Sequence, residues 1–323
     1  MSKRVIDEVK RELLAEEIGG CCSYAFLSGA IRGAGELGFT FKGFALTFRH
    51  DDKEFVEKIA SVIEKTFGEK FSVEETYIDM AIKKGTTYVL SIPAETAVGI
   101  LEKCEIVRSR CELVSTLPRT LVGRKCCKKA YLAGLFLSCG YLGVPDQINE
   151  WTGGKSRCGY SLEYKLNSDI VMEPIKKLII KAAFLDDNSV LTRKRGSVIY
   201  VKNAEAIAKV LTATGSNLGV MSLQEIMLER QMKNRINRVN NFDLANIDKS
   251  VNASEKQIND IKYIDRKIGI DSLPPALAET CRMRLAYPDA GLEELGKIFD
   301  PPISKSCINH RMRKLASIAT EIR

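Results

Sequence analysis

The residues best suited to chemistry gather near the end of the chain. In the run SKSCINHRMRKL, Ser306, Asn309, His310 and Arg313 stand at i, i+3, i+4 and i+7, one face of a helix. Lys305, Arg311 and Lys314 flank that face. Asn pairs bidentately with adenine and Arg with guanine, whereas Lys contacts phosphate without reading sequence. Between Pro301 and Arg323 five basic residues stand against one acid. Ile308, Met312, Leu315 and Ala319 form an apolar stripe at helical spacing. Ser304 is placed to cap this helix, and Pro301 and Pro302 to end the one before it. Helix, tight break, then a helix with a cationic, polar first half is the helix-turn-helix arrangement, whose second helix enters the major groove. A solvated amphipathic terminal helix has the same pattern, so this segment alone leaves both readings open.

Other residues offer less. His50 and His310, the only two histidines, have no nucleophile or carboxylate at a recognisable spacing. Gly33 to Gly38 matches GxGxxG, but it ends a helix and enters a strand, the reverse of a dinucleotide site. Ten cysteines without a CxxC pair, beside two histidines, argue against a structural zinc site and for free thiols in a reducing cytoplasm. The N-terminal MSKRVIDEVKRELL is charged and amphipathic, unlike a secretory signal, and the longest uncharged run, Ala130 to Pro145, is too short and Gly-broken to span a membrane. A net charge of +8 favours a polyanionic partner without proving one.

The elements that must carry these residues are organised around a repeat. CCSYAFLSGAIRGAGEL starts at Cys21 and CCKKAYLAGLFLSCGYL at Cys126, in register without a gap. Gly29 and Gly33 in the first copy, Gly134 and Ser138 in the second, put small residues on one helix face where another backbone can approach. The two helices are therefore expected to pack on each other across a pseudo-twofold axis. After each comes strand-like, then helical, then paired strand-like sequence, then a helix. Phe39–His50 reads as strand, and Phe55, Ile59, Val62 and Ile63 mark a helix. Gly85 and Gly196 are equivalent hairpin glycines, each after a basic cluster. From Ser222 a long polar stretch rich in asparagine begins, and the low helix propensity of Asn predicts an interrupted pair of helices there.

LSGAIRGAG (Leu27–Gly35) and LAGLFLSCG (Leu132–Gly140) resemble the nine-residue signature helix of LAGLIDADG homing endonucleases. In active members of that family a metal-binding Asp or Glu precedes the final glycine; here Ala34 and Cys139 stand there. The resemblance implies a scaffold without catalytic residues, metal or cofactor, because such cleavage needs carboxylates to hold divalent metal. Adding NRINRVNNFDLANIDKSVNA and LEELGKIFDPPISKSCINHRMRKL, the whole chain resembles the WhiA family, regulators of sporulation and cell division in Gram-positive bacteria. That resemblance implies a sequence-specific DNA-binding transcription regulator whose C-terminal domain is similar to the promoter-recognition region of sigma factors. Its implied partner is double-stranded promoter DNA, with transcription or cell-division proteins as further partners, no membrane, and a cytoplasmic, nucleoid-associated location.

The expected fold class is α+β: two αββαββα repeats, residues 1–118 and 119–221, followed by an all-α helix-turn-helix domain, 222–323. Lys305, Ser306, Asn309, His310, Arg311, Arg313 and Lys314 are the expected DNA-binding residues. Lys83, Lys84, Arg193, Lys194 and Arg195, at the two hairpins, are either phosphate contacts or ordinary solvated turns. The alternative function is a surviving LAGLIDADG endonuclease or RNA maturase.

Overall fold

The computed structural model describes residues 2–79, 84–109, 112–145 and 159–323. The chain divides into two compact units, Met1–Glu229 and Arg230–Arg323.

The first unit is built on two helices, α2 (Cys21–Ala34) and α6 (Lys125–Cys139), which pack on each other more extensively than any other pair of elements. Small residues set that contact. A Cβ added at Gly29 would lie 2.1 Å from the Tyr131 carbonyl oxygen, and one at Gly134 would lie 2.2 Å from that of Phe26. The contact is reciprocal and backbone to backbone, as the repeat predicts for a pseudo-twofold pair. Gly33 meets Ser138 in the same way, a Cβ there falling 1.9 Å from Ser138 Oγ. Around this axis the helices are buried on nearly every side, including Phe26, Leu27, Leu132, Leu135 and Phe136.

Each helix opens a repeat. In the first, β1 (Gly35–Thr40), β2 (Gly43–His50), α3 (Lys53–Phe67), β3 (Val73–Asp79), β4 (Lys84–Ile92) and α4 (Ala94–Lys103) follow α2. In the second, β7 (Gly140–Gly143), β8 (Ser161–Lys165), α7 (Met172–Ala183), β9 (Leu191–Arg193), β10 (Val198–Val201) and α8 (Ala204–Thr214) follow α6. Between the repeats lie a short β5–β6 ribbon (Val107–Ser109, Glu112–Leu113) and one turn, α5 (Arg119–Val122). The sheets have matching antiparallel orders, β1-β2-β4-β3 and β7-β8-β10-β9. Leu46, Phe48, Leu90 and Ile92 face the core, where Phe55, Ile59, Val62 and Ile63 of α3 meet them. N-terminal to both repeats, α1 (Ser2–Ala15) adds Val5, Val9 and Leu13 to the same core.

Two elements depart from expectation. Phe39–His50 is not one strand but the turn and second arm of a hairpin, with Thr40 opposite Gly43. Phe41 and Lys42 have strand-like composition but sit at the tip, where Gly43 takes a φ of 115°. The Asn-rich stretch is likewise not interrupted: α9 runs unbroken from Asn217 to Ile268. Its first turn is held by Glu12, whose carboxylate accepts from Ser216 Oγ and from the Asn217 and Leu218 N–H groups at 2.9–3.0 Å. No proline interrupts it, and its one glycine, Gly219, lies in the first turn against Val9. Once nucleated, a helix gains a hydrogen bond per added residue, and asparagine's penalty of a few tenths of a kcal/mol does not break it.

The second unit packs the C-terminal part of α9 with α10 (Pro275–Ala286), α11 (Leu292–Ile298) and α12 (Lys305–Ile322). Its core comprises Ile261, Ile264, Leu277, Cys281, Leu295, Phe299, Ile308, Met312, Leu315 and Ala319.

The α2–α6 contact makes a direct prediction. Gly134→Ala should destabilise the first unit by ~3 kcal/mol, because the added methyl must push a helix backbone aside. Gly38→Ala, with nothing within 4 Å of its Cβ position, should shift stability by under ~1 kcal/mol. Equal denaturation midpoints for the two variants would contradict this packing.

Candidate nucleic-acid interface

Helix α12 carries the predicted polar face, and its neighbours fix how it is presented. Ser304 caps it, its Oγ accepting from the Cys307 N–H at 3.2 Å. Ile308, Met312, Leu315 and Ala319 are buried, so the opposite side must face outward. The turn from α11 is closed by the Ile303 N–H donating to the Gly296 carbonyl at 3.0 Å. A Cβ at position 296 would meet the Ile303 carbonyl oxygen at 2.4 Å, so only glycine lets α11 approach this closely. Glu294 accepts from the Gly291 N–H at 2.9 Å and fixes the start of α11. The loop before it is held by Arg284, which is 2 % exposed and donates to the Ala290 carbonyl at 2.6 Å. Burial lowers the Arg284 guanidinium pKa from its ordinary value.

Lys305, Ser306, His310, Arg313 and Lys314 are exposed, and Asn309 is half-buried at the inner edge of the same face. Arg311 departs from the set. Its guanidinium turns inward, donating to the Ala276 carbonyl and Thr280 Oγ1, both at 3.2 Å. It also lies 3.9 Å from a Glu279 carboxylate oxygen and 5.7 Å from the centre of the Phe299 ring. Arg311 therefore ties α12 to α10, in keeping with a helical position nearer the buried stripe than the polar face.

The positions of the metal carboxylates in active nucleases lie at the C-terminal ends of α2 and α6. Ala34 is half-buried there, and the Cys139 thiol donates to the Leu135 carbonyl at 3.3 Å, with burial pushing its pKa to about 12. Arg32 is buried nearby, donating to Ser28 Oγ and to the Glu105 carbonyl at 2.8 Å. A pocket of about 430 Å³ at this end is lined by Ile31, Arg32, Gly35, Leu37, Asn167 and Val171. Neither Ala34 nor Cys139 offers a carboxylate. Glu36, one residue beyond the signature glycine, is paired with Arg49 at 3.1 Å. The register places Glu36, Glu74 and Arg49 on the outer face of the first sheet, two acids against one base.

At the hairpins, Lys83 lies outside the described residues, and Lys84 is the first residue of β4, paired with Asp79. Arg193, Lys194 and Arg195 are exposed around the second turn, where Gly196 has a φ of 88°.

Family models match three segments: the WhiA N-terminal LAGLIDADG-like domain over residues 20–107, the WhiA LAGLIDADG-like domain over 128–233, and the WhiA C-terminal HTH domain over 236–319. The chain is 32% identical to the probable cell division protein WhiA of Bacillus subtilis (strain 168), over 98% of this chain and 96% of that one. The chain belongs to the WhiA family. The corresponding protein of Bacillus pumilus is 31% identical over the same shares. The crystal structure of full-length DUF199/WhiA from Thermatoga maritima matches with a TM-score of 0.52 and 21% identity, covering 98% of each chain, and supports the fold. The two WhiA LAGLIDADG-like domains correspond to the repeats around α2 and α6, and the WhiA HTH domain to the helices that end in α12. No described helix is long and apolar enough to cross a membrane.

One group of residues escaped the sequence reading. Cys21 and Cys22 open α2, Cys126 and Cys127 lie in the first turn of α6, and packing the helices brings all four thiols together. The lack of CxxC spacing argued against such a cluster, but two CC pairs at equivalent positions of a paired helix meet at the axis. The repeat was the signal. Hydrogen bonds from Cys127 and Arg124 lower the Cys21 pKa, while burial raises Cys22 to about 11 and Cys127 to about 12.

His50 is structural. Its Nδ1 accepts from the Asp52 N–H at 3.0 Å, its ring packs edge-on to Phe55, and burial, with Lys10 nearby, lowers its pKa. The unfolded chain therefore binds this proton more readily, so stability is present above about pH 6.5 and is lost as pH falls below it. Denaturant titrations at pH 7.5 and 5.5 should show the first unit weaker at the lower pH, and His50→Asn, which keeps an acceptor, should reduce that difference. A pH dependence unchanged by His50→Asn would remove this assignment. Arg311→Ala should destabilise the second unit by ~2 kcal/mol, while Lys314→Ala should change it by under ~0.5 kcal/mol. Equal effects would place the Arg311 guanidinium in solvent.

Proposed function

We propose that this chain is a sequence-specific DNA-binding transcription regulator of the WhiA type, serving sporulation, cell division and chromosome segregation, on a LAGLIDADG scaffold that no longer cuts. The observation that carries this reading is the outward face of α12. Lys305, Ser306, Asn309, His310 and Arg313 lie together above a packed apolar stripe, with the preceding turn locked by Gly296. Asn309 and Arg313 are the base readers, at the spacing of one helical turn; Ser306 and His310 supplement them, and Lys305 and Lys314 hold phosphates. Arg311 is left to packing.

Promoter regions are the targets in this reading, and the nucleoid in the cytoplasm is the place of action. Arg193, Lys194 and Arg195 add phosphate contacts from the second repeat. The outer face of the first sheet, where Arg49 offsets Glu36 while Glu74 leaves an acid in excess, does not favour phosphate and is assigned to transcription or cell-division proteins instead. The absence of acids at Ala34 and Cys139 supports a scaffold that does not hold catalytic magnesium.

The test is a fluorescence-anisotropy titration of the full chain against fragments selected from its own genome. Arg313→Ala and Asn309→Ala should each weaken specific binding by about 1–3 kcal/mol and relax preference at one base position. Lys305→Ala should weaken all sequences alike and reduce the salt slope by about one. Unchanged specificity in both base-reader variants would refute the assignment of the reading helix. Supercoiled plasmid incubated with the chain and magnesium should stay intact; magnesium-dependent nicking at a defined site by the unmodified chain would restore the endonuclease reading.

A further inference from the structure

At the end of the helix pair remote from Ala34 and Cys139, the Sγ atoms of Cys21, Cys22, Cys126 and Cys127 all lie within 4.8 Å of one another. Cys126 and Cys127 Sγ are 3.9 Å apart. Four thiolates around zinc at about 2.3 Å place their sulfurs roughly 3.8 Å from each other. Small side-chain rotations therefore separate this quartet from a closed tetrahedral shell. The donors are all sulfur, which selects a thiophilic cation over magnesium or calcium.

The surroundings suit the negative charge that four thiolates bring. The cluster sits on the first turns of α2 and α6, whose unpaired N–H groups and dipoles favour anions. Arg124 Nη1 lies 3.7 Å from Cys21 Sγ, and Lys125 and Lys128 follow in the same turn. Cys21 and Cys126 are exposed, giving an ion a way in, while Cys127 is buried beneath them. A disulfide needs about 2.05 Å between sulfurs, and all four cysteines are free thiols.

We propose that Cys21, Cys22, Cys126 and Cys127 form a tetrathiolate zinc site that clamps the N-terminal ends of the two repeat helices, and so the two halves of the scaffold, together. Binding replaces four S–H bonds by four Zn–S bonds and releases up to four protons to solvent. The site is distinct from the lost nuclease centre, which lies at the other ends of helices some 20 Å long.

The test uses the full chain, purified without a metal-affinity tag or chelator and dialysed under reducing conditions. Mass-spectrometric metal analysis should find about one zinc per chain. The Cys126→Ser/Cys127→Ser variant should fall to background, and Cys307→Ser, in the other unit, should keep its zinc. Should the double variant not fold, the unmodified chain stripped of zinc and reloaded with cobalt(II) supplies the answer. It should give the intense visible absorption and sulfur-to-metal charge-transfer bands of tetrahedral tetrathiolate cobalt, and one equivalent of zinc should bleach them. An unmodified chain that carries no zinc and takes none up from micromolar solution would overturn the proposal. So would copper in place of zinc, a disulfide among the four, or an octahedral cobalt spectrum.

Discussion

The close approach of two backbones at Gly29 and Gly134 is the constraint on which the rest of this protein depends. A Cβ on either glycine would stand about 2 Å from the opposing carbonyl, far inside contact distance. Because the contact is reciprocal, it imposes the pseudo-twofold relation on everything attached to the two helices. The two sheets acquire the same strand order, and the two CC dipeptides come together at one end. Packing of this kind tolerates no added methyl, but it is indifferent to the chemistry at the helix ends. The fold therefore does not depend on a carboxylate at position 34 or 139, and Arg32, buried on α2, is satisfied by the Glu105 carbonyl.

Much of this was legible in the sequence, for physical reasons. Small residues four apart announce close helix packing, and they identified the axis; the apolar stripe from Ile308 to Ala319 identified which side of α12 is turned out. What stayed hidden follows from the limits of local pattern. Phe41 reads as strand, but a hairpin tip exposed to solvent can carry an aromatic residue when the glycine that follows at position 43 supplies the positive φ. Asparagine density suggested a break in α9, but propensity is a weak prior against a helix held at its start by Glu12 and packed through Ile261 and Ile264 near its end. Arg311 lies round the helix from the polar face, beside the apolar stripe, a signal that the basic run around it obscured. The cysteine cluster is a pairing in space rather than along the chain, which a search for CxxC spacing cannot find.

Charge is distributed differently over the two units. The first sheet's outer face carries acids, the second hairpin carries bases, and the concentrated cationic surface with amide and hydroxyl groups is on α12. A nuclease saddle would need base contacts spread over both sheets, whereas a helix-turn-helix concentrates them on one short face. Under the proposed function, this assigns sequence discrimination to the C-terminal unit and leaves the paired-helix body as its platform.

That division is most directly measured by photocrosslinking of the full chain to a bound promoter fragment, with the photoreactive group placed either at Ser306 on α12 or at Thr76 on the first sheet. The account predicts efficient adducts to bases of the recognised motif from position 306 and none from position 76. Adducts to bases from position 76, with none from position 306, would contradict it.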